Sequence, residues 1–168
     1  MKIRVGSPSF VCLGVTLSAF FLSVIQPPCH WYGLAWIAWV PFVLACVTAH
    51  SFKRLMWASF VISAGYWLIS LHWIAPITPP GWIALCLYLA LGWPVTGALL
   101  RFCVQKKVPL FIACPIILVG AEALQGTPVS PFYWRFLAHS QYQQLSLIQI
   151  ADIFGAGGVS FLIAMVNG

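Results

Sequence analysis

GWIALCLYLALGWPVTGALL, residues 81–100, holds no charged side chain from end to end. At a rise of about 1.5 Å per residue, such a stretch reaches across most of a hydrocarbon core of about 30 Å. Runs of similar length and apolarity occupy residues 9–26, 31–49, 55–75 and, with Glu122 near its end, 108–124. A shorter one begins near Ile150 and continues to Gly168, with Asp152 and a glycine cluster in its first part. The whole composition agrees with these runs: 62% of residues are apolar, 15% aromatic and 6% charged, and the mean hydropathy is +0.97. A soluble domain has far more polar surface than this chain can supply, so lipid must replace water over most of its exterior. The expected fold class is therefore an all-α polytopic membrane protein, a bundle of about six transmembrane helices, with residues 1–168 forming one membrane domain.

Charge placement sets the orientation independently of hydropathy. Of the eight Lys and Arg residues, Lys2 and Arg4 precede the first run. Lys53 and Arg54 separate the second from the third, and Arg101, Lys106 and Lys107 separate the fourth from the fifth. The intervening links around 27–30 and 76–80 carry no Lys or Arg, and the link after the fifth run carries only Arg135. Cations on alternate links are the signature of a cytoplasmic N-terminus. The same rule puts residues 125–149 on the outer face. The first run has no small-x-small cleavage site at its end and reads as a retained helix.

The outer link opens with a helix-breaking string, Gln125 to Pro131, and then turns polar and aromatic in FYWRFLAHSQ, residues 132–141. As a short helix this decapeptide would stack Phe132 on Phe136 and Tyr133 on Leu137, with Arg135 and His139 sharing another face. It is expected to be an amphipathic segment at the outer interface, rings toward lipid and Arg135 with His139 near headgroup phosphate. Trp31, Tyr32, Trp73, Trp82, Tyr133 and Trp134 fall at the same level and read as an aromatic belt. Glu122 and Asp152, the chain's two acids, bracket this link, and Arg135 is the economical ion-pair partner for either. The candidate lipid-binding residues are accordingly Glu122, Trp134, Arg135, His139, Gln141 and Asp152.

Other motifs point to packing rather than chemistry. Gly155-Ala156-Gly157-Gly158-Val159-Ser160 lacks the final glycine and the preceding strand of a dinucleotide fingerprint, and Ala156 with Ser160 makes a small-xxx-small pair. The six cysteines show no metal or redox spacing, and none is nominated as a nucleophile. His30, His72 and His139 match no ligand motif, so no metal or cofactor is expected. Prolines 41, 94 and 115 predict short helix starts or kinks within the apolar runs.

Read in order, Glu122-Ala-Leu-Gln-Gly126, residues 132–141, Leu147-Ile-Gln-Ile-Ala-Asp152 and residues 155–162 running to Val166-Asn-Gly168 resemble the membrane domain of apolipoprotein N-acyltransferases. Trp36-Ile-Ala-Trp-Val-Pro41, Gly65-Tyr-Trp-Leu and His72-Trp-Ile74 resemble that family as well. The resemblance implies a bacterial inner-membrane, multi-pass protein that moves an acyl chain from a phospholipid to the N-terminal diacylglyceryl cysteine of lipoproteins. It implies no nucleic-acid partner. In the family, bond-making belongs to a nitrilase-like domain whose Glu, Lys and Cys act as base, oxyanion stabiliser and nucleophile. None of those residues lies in these 168, so the chain is expected to be a truncated, lipid-binding part, inactive by itself. Gln125 departs from the family, which commonly has an arginine there. The alternative expectations are a non-catalytic membrane subunit docking a separate nitrilase-like chain, and a small transporter or haem-carrying membrane protein.

Overall fold

The computed structural model describes residues 5–126 and 132–168; Lys2 and Arg4 of the basic start, and most of the helix-breaking string, lie outside the described residues. Every regular element among those described is helical. The helices are α1 (Pro8–Val24), α2 (Val40–Thr48), α3 (Phe52–Ser70), α4 (Pro79–Ala90), α5 (Gly92–Gln105), α6 (Leu110–Gln125), the short α7 (Leu145–Ile148) and α8 (Ala151–Asn167). Single 3-10 turns occupy Tyr32–Ile37, His72–Ile74 and Leu137–Gln141.

The stretch 81–100 lies in α4 and α5, which join end to end at Leu91 into a rod of 27 residues, Pro79–Gln105, whose most apolar 18 residues have a mean hydropathy of 1.9. It is the one helix among the described residues long and apolar enough to cross a membrane; the apolar helices Pro8–Val24, Tyr32–Thr48, Leu110–Gln125 and Ala151–Asn167 are shorter. The helical hydrogen-bond ladder is interrupted just ahead of Pro94 for a local reason. Proline has no N–H to give to the carbonyl four residues back, which here is Ala90. That carbonyl accepts instead from the buried Ser63 hydroxyl of α3 at 2.9 Å.

The second apolar run is broken more sharply, into a 3-10 turn and α2, with Pro41 in the first turn of α2. Helix starts leave backbone donors without partners, and in an apolar surrounding each must be met by a side chain. Two distant residues do so. Ser18 Oγ of α1 accepts from Phe42 N at 2.9 Å, and Asn167 Oδ1 at the end of α8 accepts from Trp39 N at 2.7 Å. α1 lies so close to α2 that a Cβ at Gly14 would sit 2.6 Å from the Pro41 carbonyl.

α6 and α8 form the most extensive helix pair. The small residues of the glycine cluster serve this contact: Gly157 faces Val119, and Ser160 is fully buried. Gly155 takes a positive φ of 63° and kinks the start of α8.

The two ends of the bundle differ in chemistry. At one, Gly6 meets His50, and Arg101 Nη1 donates to the Ala49 carbonyl at 2.6 Å, closing the C-terminus of α2 with a cation. At the other, Leu22, Gln26, His30, Tyr66, Trp73 and Gln125 meet residues 132–142. Basic links and aromatic links are thus segregated as the alternate-charge pattern anticipates. Large apolar side chains stand open on the outside: Trp57, Ile69, Ile77, Leu145, Ile153 and Phe154 are 69% to 78% exposed.

Candidate lipid-binding cavity

A ladder of rings runs from mid-bundle to the aromatic end. Trp93 contacts Trp39 at 5.0 Å and Tyr66 at 5.6 Å between centroids; Tyr66 contacts Trp67 at 5.1 Å, and Trp67 meets Phe132 at 6.1 Å. Phe132 meets Trp134 at 5.1 Å, and Trp134 meets Trp73 at 6.2 Å. Tilted at Trp93 and edge-on from Tyr66 outward, rings at these spacings hold one another in fixed orientations. Beside the ladder, between α3, α4, α5 and α6, lies a cavity of about 520 Å³. Its walls are leucine, isoleucine, valine and aromatic side chains, and its polar groups include Tyr66, Thr96, Glu122, Gln125 and Arg135. A large apolar cavity with a few convergent polar groups is the usual form of a site for an amphiphile.

The polar groups are held by the segment expected to be a helix, and here the structure corrects the sequence reading. Residues 132–136 are irregular, and only Leu137–Gln141 forms a 3-10 turn. Arg135 has a left-handed backbone, φ 65°, which ends any helical path through it. The cause is competition for carbonyls: Gln125 Nε2 donates to the backbone carbonyls of Phe132 (3.3 Å) and Trp134 (2.8 Å). The expected i, i+4 stacks give way to Phe132 on Trp67 and Tyr133 on Phe136.

Arg135 consequently turns inward. Its Nε donates to the Tyr66 hydroxyl at 3.1 Å, its Nη2 to the Leu22 carbonyl at 3.5 Å, and its guanidinium lies 5.5 Å from the Tyr66 ring centre. The expected ion pair with an acid is not formed among the described residues. Glu122 Oε1 accepts from Leu137 N at 2.7 Å instead, while Oε2 is buried without a partner among the described residues. Asp152 is exposed in the first turn of α8.

Of the six candidate residues, the cavity brings together Glu122 and Arg135. Trp134 is exposed and caps the ring ladder. Gln141 is almost fully buried, donates to the Tyr32 carbonyl at 2.9 Å, and lines a separate, smaller cavity of about 270 Å³ with Tyr32 and Trp36. His139 stacks on Phe136 at 5.2 Å, and its Nδ1 accepts from Phe136 N at 3.3 Å. Sequence reasoning passed over Tyr66, Trp67 and Gln125 as site residues, although Gly65-Tyr-Trp-Leu was visible as a motif. Among the described residues no group of His, Cys, Asp and Glu is arranged to hold a metal ion.

Burial lowers the His139 pKa, so the folded state resists taking up a proton. As pH falls through the ordinary imidazole range the unfolded chain protonates first, and stability falls with it. A protonated Nδ1 also cannot accept from Phe136 N. The expected outcome is a fall in melting temperature between pH 7 and pH 5 that His139→Phe reduces, read by thermal unfolding in detergent.

Fold and site together define an all-helical domain built around an apolar cavity whose polar end carries a cation and a carboxyl. Comparison with known proteins narrows this class. Residues 18–168 match the family model described as the apolipoprotein N-acyltransferase N-terminal domain, and the chain belongs to that family. It is 36% identical over 166 residues to an apolipoprotein N-acyltransferase of Geobacter metallireducens, a match covering 92% of this chain and 32% of that protein. With the protein of the same name from Rhodopirellula baltica it is 32% identical over 173 residues, covering 92% of this chain and 30% of the relative. The chain thus spans about a third of the length of these relatives.

Proposed function

We propose that this chain is the membrane, lipid-substrate-binding part of an apolipoprotein N-acyltransferase. It takes a membrane phospholipid with an acyl chain in the 520 Å³ cavity and the phosphate near Arg135, and offers that acyl group for transfer to a lipoprotein's N-terminal diacylglyceryl cysteine. Bond-making falls to a nitrilase-like domain, and the 168 residues by themselves transfer no acyl group. The observation that carries the reading is one apolar cavity edged by Arg135 and Glu122. Arg135 spends Nε and Nη2 on Tyr66 and Leu22, and its Nη1 has no partner among the described residues, leaving a charged donor for an anion.

Two further observations support a bilayer setting. Many large apolar side chains stand exposed, which a water-facing monomer rarely tolerates. The basic links gather at the end away from the cavity's cation, as a multi-pass bacterial inner-membrane protein with a cytoplasmic N-terminus requires. The broken second run fits such a setting because its free backbone donors are satisfied inside the protein by Ser18 and Asn167, and Ser63 does the same for the Ala90 carbonyl freed within the long rod.

The test fills the cavity without disturbing the backbone. Gly120 lines it, and a Cβ added there meets nothing within 4 Å. Gly120→Phe is expected to lower co-purified phospholipid, measured by native mass spectrometry from mild detergent, by about tenfold with no drop in melting temperature. A folded variant that keeps its full lipid complement overturns the reading.

A further inference from the structure

We infer that the basic end of the bundle is a second lipid site, for a glycerolipid of net negative charge: Lys53, Arg54, Arg101, Lys106 and Lys107 receive its phosphate, and exposed apolar side chains beside them receive its hydrocarbon. The inference rests on the bilayer setting proposed above and is independent of the cavity, whose cation lies at the opposite end.

The five cations belong to one place. Arg101 Nη1 donates to the Ala49 carbonyl at 2.6 Å, which fixes the last turns of α5 against the link between α2 and α3. Lys53 and Arg54 follow that link in the first turn of α3, and Lys106 and Lys107 follow the end of α5. Four of the five are exposed, and Arg101 is half-buried. Neither acid of the chain answers them. α6 starts at this end and carries Glu122 away from it. α8 meets the start of α6 at its last residue, where a Cβ on Gly168 would touch the Leu110 carbonyl, so Asp152 in its first turn is remote as well.

Three of these cations stand where local structure disfavours them. Lys107 ends α5 at φ 58°, with its N–H on the Val104 carbonyl and Val108 N on the Cys103 carbonyl, a helix end at which glycine is the usual residue. Lys53 and Arg54 occupy a helical first turn, where the dipole favours acids. Membrane orientation asks for positive charge on these links, but not for lysine at a glycine position. Local preferences overridden side by side mark a functional demand, and what these residues share is the capacity to hold an anion.

The neighbouring surface makes that anion part of a lipid. Lys106 Nζ lies 5.7 Å from the centre of the Phe102 ring, and Phe102 is 56% exposed. Phe111 and Ile112, just past Lys107 in the first turn of α6, are exposed too. A cation carried over open apolar surface meets an amphiphile where its phosphate joins its hydrocarbon. A basic cluster of this size beside a spanning helix attracts net-negative headgroups, whereas in a zwitterionic one the ammonium offsets the phosphate.

The experiment offers the purified chain, in mixed micelles at low ionic strength, equimolar phosphatidylglycerol and phosphatidylcholine of equal chain length, and reads retained lipid by native mass spectrometry. Phosphatidylglycerol is expected in about tenfold excess, and the double variant Lys106→Gln, Lys107→Gly is expected to cut that excess about fivefold. Its melting temperature should not fall, since glycine relieves the left-handed backbone at position 107. If that variant does not fold, Lys53→Gln with Arg54→Gln gives the same readout. Arg135→Gly, which acts on the cavity, is expected to keep the excess. A wild-type ratio of one overturns the inference, as does an excess that survives both double variants or disappears in Arg135→Gly. Glycerol phosphate held as tightly as the lipid also overturns it, because the apolar surface then contributes nothing. Unchanged phosphatidylcholine retention in Arg135→Gly counts against the cavity reading and leaves this inference standing.

Discussion

Asn167→Ala is expected to destabilise the folded chain by about 3 kcal/mol, the largest stability effect of any single substitution considered for this protein. Asn167 is 3% exposed, and its amide serves two helices at once. Oδ1 accepts from Trp39 N at 2.7 Å, and Nδ2 donates to the carbonyls of Ala35 at 3.0 Å and Ile163 at 2.8 Å. Trp39 and Ala35 flank the break between the 3-10 turn and α2. Alanine leaves the Trp39 N–H unpaired at that break, worth about 1–3 kcal/mol when buried, and takes from the Ala35 carbonyl the shorter of its two donors, leaving it Ala38 N at 3.4 Å. Asn167 is buried among the helices, so no water replaces them. Thermal unfolding in detergent measures the effect, and a loss below about 0.5 kcal/mol, typical of an indifferent surface substitution, would count against this account.

The second large effect concerns binding. Replacing Arg135 with alanine removes the charged donor at the cavity's polar end, and retained phospholipid is expected to fall about 100-fold, or nearly 3 kcal/mol. Arg135→Gly should lose lipid equally but unfold at a higher temperature than Arg135→Ala. The reason is the backbone: at φ 65° a residue with a Cβ pays about 1 kcal/mol that glycine does not. Both variants lose the same hydrogen bonds to Tyr66 and Leu22, so the difference isolates the strain. A non-glycine residue kept at such a position shows strain concentrated where the cation is needed. Lipid retention equal to wild type in either variant refutes the phosphate role.

Much of the fold could be read from the chain itself. The apolar runs foretold α1, α3, the α4 and α5 rod, α6 and α8, and the alternation of cations foretold which links share an end. Both signals are local, since each depends on composition along one segment. Of the cavity, Glu122 and Arg135 were legible for a related reason: charges are so scarce in this chain that each one in an apolar stretch stands out. Tyr66 and Trp67 were not, because an aromatic residue in such a sequence is indistinguishable from an interface anchor until its ring contacts are known. The amphipathic periodicity of 132–141 misled, because side-chain spacing says nothing about who claims the backbone carbonyls. Gln125 claims two of them, seven and nine residues away.

What the sequence determined by itself is a strongly apolar helical chain, with basic and aromatic ends opposed and a family resemblance carried by an ordered series of motifs. Only the tertiary structure decided where the helices break and which groups face the cavity. Breaks depend on distant partners: Ser18 for Phe42, Ser63 for Ala90, and Asn167 for Trp39. A buried backbone group must be satisfied by whatever side chain packing brings to it, and that choice is made between helices, across more than a hundred residues in the last case.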